Sequence, residues 1–257
     1  METNNNSNFF VRNKGLISNV EQIQLLNTSI AIIGAGGDGG LLAERLVRFG
    51  IGKIIIADPE NFESSNINRQ FSANQKSLGK NKAEVVAAEL LQINPNLKID
   101  VYNEGLTKEN VFEIVSAADI IVDEIEYSLP ALSVMLHKET RRQNKYLFMG
   151  ANIGWGASIF CFAPKGVTFE EHFEYSEQDA TINSLRYLKK KPECIEDEIL
   201  KSVLSGTMPM PSLSSSVSLV TSVMANEIIL FLTGKREPVI APQFLFIDRF
   251  DLSIDKN

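Results

Sequence analysis

Cysteine is scarce: 257 residues contain two, Cys161 and Cys194. That excludes a disulfide framework and any four-cysteine zinc site. Positive charge is also short. Lys and Arg number 25 against 32 Asp and Glu, a net charge of −7, which argues against phosphate-backbone binding as the main task, because that needs a basic face. Unbroken apolar runs such as Ile228–Leu232 fall far below the ~18–20 residues of a membrane helix. The N-terminal METNNNSNFF is polar and lacks a charged-then-apolar leader pattern. A cytoplasmic, soluble chain with no membrane contact is the expectation. What is present is a 44% apolar composition, normal for a globular chain and too apolar for disorder. The length suits one large domain or two small ones.

Strand and helix patterns alternate through the first 150 residues. After a loose N-terminal arm, Val20, Ile23 and Leu26 have helical spacing, so residues 1–28 read as arm plus helix. Ser29–Ile33 is an apolar β-type run ended by GAGGDGG at 34–40. A helix with Leu42, Leu46 and Phe49 on one face stops at Gly50, and Lys53–Ala57 is a second buried strand. Helices are expected over 79–93, from Thr107 to about Ala117, and from Ser128. Strands are expected at 98–102, 120–123 and 146–150. This pattern predicts an α/β, Rossmann-like, doubly wound and mainly parallel sheet over 29–150. In 151–257, a strand at 158–163 precedes a polar, irregular stretch over 164–212. A strong helix follows at 214–233, then closing antiparallel strands near 244–247 and 252–254. One domain spanning 1–257 is expected.

Gly34, Gly36 and Gly39 fit G-x-G-x-x-G between a strand and a helix. Glycine lets the backbone approach a phosphate, and the helix N-terminus favours its charge. Asp58, at the end of the second strand, stands where an acidic residue hydrogen-bonds ribose hydroxyls. These residues alone fit an NAD-dependent dehydrogenase, or a tight turn with no ligand. The next segment fits neither. Asn66, Asn68, Arg69 and Gln70, with Lys80 and Lys82, lie downstream of Asp58, where a triphosphate would extend.

GAGGDG (34–39), DPE (58–60), SNINRQ (65–70) and GKNK (79–82) together resemble the ThiF/MoeB/HesA family, which shares its fold with ubiquitin-activating enzymes. RNKGLIS near the start resembles the family's N-terminal arm, and ANEIILFLTGK (225–235) its C-terminal helix. The resemblance implies ATP·Mg-dependent adenylylation of a carboxylate, usually the C-terminus of a ubiquitin-like protein or a peptide, with loss of pyrophosphate. It implies that Gly34, Gly36, Gly37 and Gly39 hold the phosphate region, that Asp58 holds the ribose, and that Asn66, Arg69, Gln70 and Lys82 also bind the nucleotide. Arg12 would reach the γ-phosphate across the interface of a homodimer. Arg12, Arg69, Lys82 and Glu126 form the implied catalytic set.

Three departures from the family pattern stand out. The family's magnesium-binding Asp lies three residues after the Asp ending the fourth strand; here DEIEY (123–127) puts Glu126 there, one methylene longer. Asp38 sits inside the phosphate loop, where a carboxylate repels phosphates unless it is turned away or neutralised. No CxxC pair exists, which implies a zinc-free branch that includes tRNA-modifying dehydratases and some peptide-modifying enzymes. A dehydratase-like activity on tRNA remains an alternative, although the charge of −7 opposes it. A non-catalytic nucleotide-binding scaffold is another. Cys194, beside Lys189–Lys191 but also beside Glu193, Glu196, Asp197 and Glu198, is a weak candidate for a thioester. Cys161 reads as core, and His137 and His172 as structural or surface residues.

Overall fold

The computed structural model describes residues 9–205 and 207–256. Among these, eight strands form one sheet in the order β3-β2-β1-β4-β5-β6-β7-β8. They are β1 Ser29–Ile33, β2 Lys53–Ala57, β3 Lys98–Tyr102, β4 Ile120–Asp123, β5 Tyr146–Ile153, β6 Gly156–Phe162, β7 Leu245–Asp248 and β8 Ser253–Lys256. Strands β1 to β5 pair in parallel; β6, β7 and β8 join antiparallel. The strand order reverses between β1 and β4. At such a switch point the loops leaving the two strands turn to opposite faces and open a crevice.

The apolar runs are continuous because both faces of the sheet are covered. Alternate residues point to opposite sides. Ile30, Ile32, Ile54, Ile56 and Val122 enter one core cluster, and Ala31, Ile33, Ile55, Ala57 and Ile121 enter the other. The first cluster is closed by helices α2 (Gly37–Phe49), α3 (Lys82–Ile93) and α8 (Ser214–Leu232). The second is closed by α4 (Val111–Ser116) and α5 (Pro130–Arg142), with α6 (Phe169–His172) and α7 (Asp197–Leu204). Each fully buried Ile or Leu contributes about 1.5–3 kcal/mol of transfer free energy.

Local chemistry sets the helix ends. Gly50 takes the left-handed conformation (φ 100°) that stops α2. The helix expected from 79 begins at Lys82, because Asn81 caps it by accepting from the Glu84 amide at 3.1 Å. In α1 (Asn19–Leu26) the expected apolar face is not covered: Val20 is 76% and Ile23 60% exposed, and Leu25 is buried instead.

The stretch over 164–212 is not wholly irregular. It holds α6, α7 and a 3-10 turn at Ser184–Tyr187, and buries Phe169, Phe173, Tyr187, Leu200 and Val203. Short helices broken by polar residues leave too few periods to read locally. Helix α8 is long and apolar enough by composition to cross a membrane, with a mean hydropathy of 1.6. Here it packs against α2, β5 and β6, and it carries buried Ser216, Thr221 and Glu227 on its faces.

Candidate functional site

A cavity of about 710 Å³ opens where the strand order reverses. Such a volume is within the range of small-molecule sites. The loop after β1 forms its floor. Gly34 has φ +105°, and a Cβ there would lie 2.2 Å from the Glu124 carbonyl oxygen. A Cβ on Gly39 would lie 1.9 Å from the Gly34 carbonyl oxygen. Both glycines are therefore required by close backbone approach. Gly36 and Gly37 face the cavity and leave the start of α2 uncovered on that side.

Asp58, at the end of β2, is buried. Its Oδ2 accepts from the Ala35 amide at 2.7 Å and its Oδ1 from the Glu60 amide at 2.8 Å. The carboxylate thus pins the glycine loop to the neighbouring strand end. Burial raises its pKa, and these two amides oppose the rise. Each carboxylate oxygen keeps a second lone pair for a ligand hydroxyl.

The SNINRQ turn and the start of α3 close the adjacent wall. Asn66 is buried and accepts from the Glu63 amide at 3.0 Å. Arg69 donates to the Ser65 carbonyl at 3.1 Å and to Asn68 Oδ1 at 2.9 Å. Gln70 is buried with Oε1 lacking a hydrogen-bond partner. Such an orphan acceptor in a concave site is a place for a donor from a ligand or water. Lys82 is buried and pairs with Glu60 Oε2 at 2.5 Å.

Acidic groups face these cations. Glu126, exposed at the cavity wall, has its pKa raised first by desolvation and then by Glu60, against Arg69 and Lys82. Burial pushes Asp38 up to about 7; Asn152 and Arg69 oppose this, and Glu126 adds to it. Glu124, whose Oε1 accepts from the Gly150 amide at 3.1 Å, is raised well above the usual range by burial, then by Asp38 and Asp123. Asp38 Oδ1 is a second buried oxygen without a partner. Six carboxylates (Asp38, Asp58, Glu60, Glu63, Glu124, Glu126) and two cations (Arg69, Lys82) line the cavity. A polyanion entering it needs further positive charge. No group of three metal-ligating side chains exists among the described residues. Glu126 at the cavity wall is the oxygen donor that would hold a hard cation there together with substrate phosphates.

Of the nucleotide-site residues expected from the sequence, Gly34, Gly36, Gly37, Gly39, Asp58, Asn66, Arg69, Gln70, Lys82 and Glu126 line this one cavity, whereas Asn68 and Lys80 are exposed outside it. Arg12 does not; it lies exposed in a turn at Val11–Asn13. Cys194 does not either. It is half-buried with Sγ against Gly154. The lysines beside it in the sequence are engaged elsewhere: Lys190 with Asp251, Lys191 with Asp197, and Lys189 over the Phe244 ring at 5.6 Å. His137 and His172 are both buried. His137 Nε2 lies 3.1 Å from Asp123 Oδ2, a pair that sequence spacing did not suggest. Asn152 and Ser212 also line the cavity without any sequence signal, each being a lone polar residue brought in by tertiary packing.

Comparison with known proteins agrees with this architecture. The profile of the ThiF family matches residues 10–256. The ubiquitin-like modifier-activating enzyme 5 of Bombyx mori is 38% identical over 103 residues, which is 40% of this chain and 25% of that protein. The SAMP-activating enzyme E1 of Haloferax volcanii is 25% identical over 234 residues, covering 91% of this chain and 77% of that protein. Among solved structures, E. coli MccB with SeMet MccA superposes with a TM-score of 0.72 at 22% identity, covering 98% of this chain and 72% of that one. This chain thus spans a quarter of the length of the first relative and about three quarters of the other two. The chain belongs to the ThiF family.

Proposed function

We propose, from membership of the ThiF family, that this chain is an ATP-dependent adenylyltransferase acting on the C-terminal carboxylate of a ubiquitin-like protein or peptide. The observation that carries this is the convergence of the glycine loop, Asp58, the SNINRQ turn and Lys82 on one cavity at the switch point. A dehydrogenase has no use for Arg69, Gln70 and Lys82 beyond the ribose-binding carboxylate. A triphosphate does.

In this reaction a carboxylate oxygen of the substrate forms a bond to the α-phosphorus of ATP. The bond from that phosphorus to the oxygen bridging the β-phosphorus breaks, and pyrophosphate carries away the electron pair. Catalysis is mostly positioning and charge neutralisation. The Gly36 and Gly37 backbone approaches the phosphates, Asp58 orients the ribose, and Asn66 and Gln70 fix the chain of phosphates by hydrogen bonding. Lys82 exchanges Glu60 for phosphate, and Arg69 adds a second cation. Glu126 is the residue that would hold magnesium, which would supply the positive charge lacking in a cavity with six carboxylates.

A homodimer completes the proposal. Arg12 lies outside its own chain's cavity, and Phe9, Val11, Leu16, Val20 and Ile23 around it are 47–79% exposed. A second copy covering this apolar surface would bring Arg12 towards the neighbouring site. The cytoplasm, where ATP is abundant, is the proposed compartment.

ATP–pyrophosphate exchange tests the activity. Exchange is expected only with magnesium and a carboxylate substrate. Failure of the purified protein both to bind ATP and to exchange pyrophosphate would overturn the proposal.

A further inference from the structure

The cavity is longer than the nucleotide machinery it contains. Asp58 and Leu106 stand at its β2–β3 flank, and Met149 to Ile153 of β5 at the other. Three strand spacings separate β2 from β5, roughly 14 Å. A nucleoside anchored at Asp58 therefore leaves the far flank to another molecule.

That flank is roofed by the segment over 184–212. Ser158 Oγ of β6 donates to the Tyr187 carbonyl at 2.6 Å, and Ser212 Oγ donates to Asn152 Oδ1 of β5 at 2.5 Å. The segment is thus tied to both strands. It contributes Leu185, Leu188, Leu200, Val203, Leu204 and Met210 to the cavity wall, and none of the described residues it contributes is charged. Leu200 and Val203 pack inward from α7 at 7% and 2% exposure, but Leu185 and Leu204 remain 50% and 48% exposed. Large apolar side chains at the wall of a concave site gain only when something apolar covers them.

We propose that this flank binds the apolar side chains of the last residues of a peptide substrate, so that the chain selects carboxylates carried on bulky apolar C-terminal residues over those carried on a Gly-Gly tail. The assignment rests on the adenylylation reading above. Continuity with the nucleotide cleft decides the occupant. A carboxylate attacking the α-phosphorus enters in line, opposite the departing pyrophosphate, and the uncharged wall carrying Leu185 and Leu204 is the part of the cavity left for its own residue and the one before it. Glycines there bury no side chain and leave both leucines uncovered. Acidic or basic residues lose hydration against a wall without a counter-charge.

Three pentapeptides with free C-termini, alike except for a final Leu-Leu, Gly-Gly or Glu-Glu, test this by ATP–pyrophosphate exchange. The Leu-Leu peptide is expected to give at least a tenfold higher kcat/KM than the other two. Leu185→Gln and Leu204→Gln should each narrow that preference at least threefold, and Leu204→Met should keep it. Displacement of a fluorescent ATP analogue, measured on the same preparations, reports the nucleotide site separately. Equal rates, a Gly-Gly preference, or an unchanged preference in both glutamine variants overturns the assignment and leaves adenylylation standing. ATP binding without exchange on any of the three peptides also overturns it. Loss of ATP binding in the unaltered protein overturns adenylylation itself, and the pocket assignment with it.

Discussion

Asp38 and Asn152 lie 114 positions apart, and Asn152 Nδ2 donates a 2.7 Å hydrogen bond to Asp38 Oδ2. Asn152 Oδ1 in turn accepts from Ser212 Oγ, and the Ser212 carbonyl accepts from Asn68 Nδ2 at 3.0 Å. One chain of side chains thus joins the first turn of α2, strand β5, the approach to α8 and the SNINRQ turn. It answers the question raised by a carboxylate in a phosphate loop: one oxygen is turned to an amide, and burial favours the neutral acid.

Asp38 gives a pH-dependent stability. The native state keeps the proton up to about pH 7, while the unfolded chain releases it near the ordinary 3.8. Between these values the native state binds more protons, so stability falls as pH rises. Asp38→Asn keeps an acceptor for Asn152 and removes the titration. Its stability relative to the unaltered protein is expected to increase by on the order of 4 kcal/mol between pH 4 and pH 8 in urea unfolding. A pH-independent difference would refute this.

The two backbone-contact glycines should behave unlike Gly36. Gly39→Ala places a methyl 1.9 Å from the Gly34 carbonyl oxygen, whereas a Cβ on Gly36 meets nothing nearer than Gln70 Nε2 at 3.6 Å. Gly39→Ala is expected to lose about 2 kcal/mol or more of stability together with ATP binding. Gly36→Ala is expected to lose ATP affinity with a smaller change in unfolding midpoint. Thermal unfolding with and without ATP separates the two.

Much of the sheet is legible in the sequence because apolar runs buried on both faces carry their own signal, as Ile54–Ile56 and Ile120–Val122 do. The cavity floor is legible for the same reason that it works: Gly34 and Gly39 are demanded by backbone proximity, which fixes residue type at fixed spacing. Glu126 is found by counting from Asp123. The roof is not legible. Leu185 and Leu204 reach the cavity through a polar stretch with three short helical pieces, and nothing local marks which leucines turn inward. Asn152 and the His137–Asp123 pair depend on strand register and helix packing, which no spacing rule records.

Lys82 should separate catalysis from stability. Its side chain is 6% exposed, but Glu60, its partner at 2.5 Å, is 63% exposed and rehydrates once released. Lys82→Ala is therefore expected to cost about 1 kcal/mol of stability. Pyrophosphate exchange should fall at least about 100-fold, the usual loss for one charge-stabilising group in a preorganised site. An exchange rate within threefold of the unaltered protein would remove Lys82 from the phosphate site.

Glu126 carries the metal assignment. Glu126→Gln retains size and polarity but loses the charge a hard cation requires. Exchange at fixed ATP is expected to fall by at least an order of magnitude, with a higher magnesium concentration needed for half-maximal rate. Glu126→Asp should recover part of both. If Glu126→Gln leaves the magnesium titration unchanged, the charge is supplied from elsewhere and the scaffold reading gains.

The His137–Asp123 pair is predicted to be structural. Asp123 ends β4 with no exposed surface, and it accepts from the Ile125 amide at 3.0 Å and lies 3.1 Å from His137 Nε2. The imidazole is held by Phe162 and Phe169, with ring centroids at 4.8 and 4.7 Å. His137→Ala opens a cavity among these rings and leaves a buried carboxyl oxygen unpartnered, which together cost about 3–5 kcal/mol. Adding Asp123→Asn to that variant should recover stability, because an amide is cheaper to bury alone than a carboxylate. A double-mutant cycle in urea should return a coupling of at least about 1 kcal/mol. A coupling near zero would mean that Asp123 is held by its backbone partner alone, and that His137 serves only to fill space between β4 and the aromatic cluster.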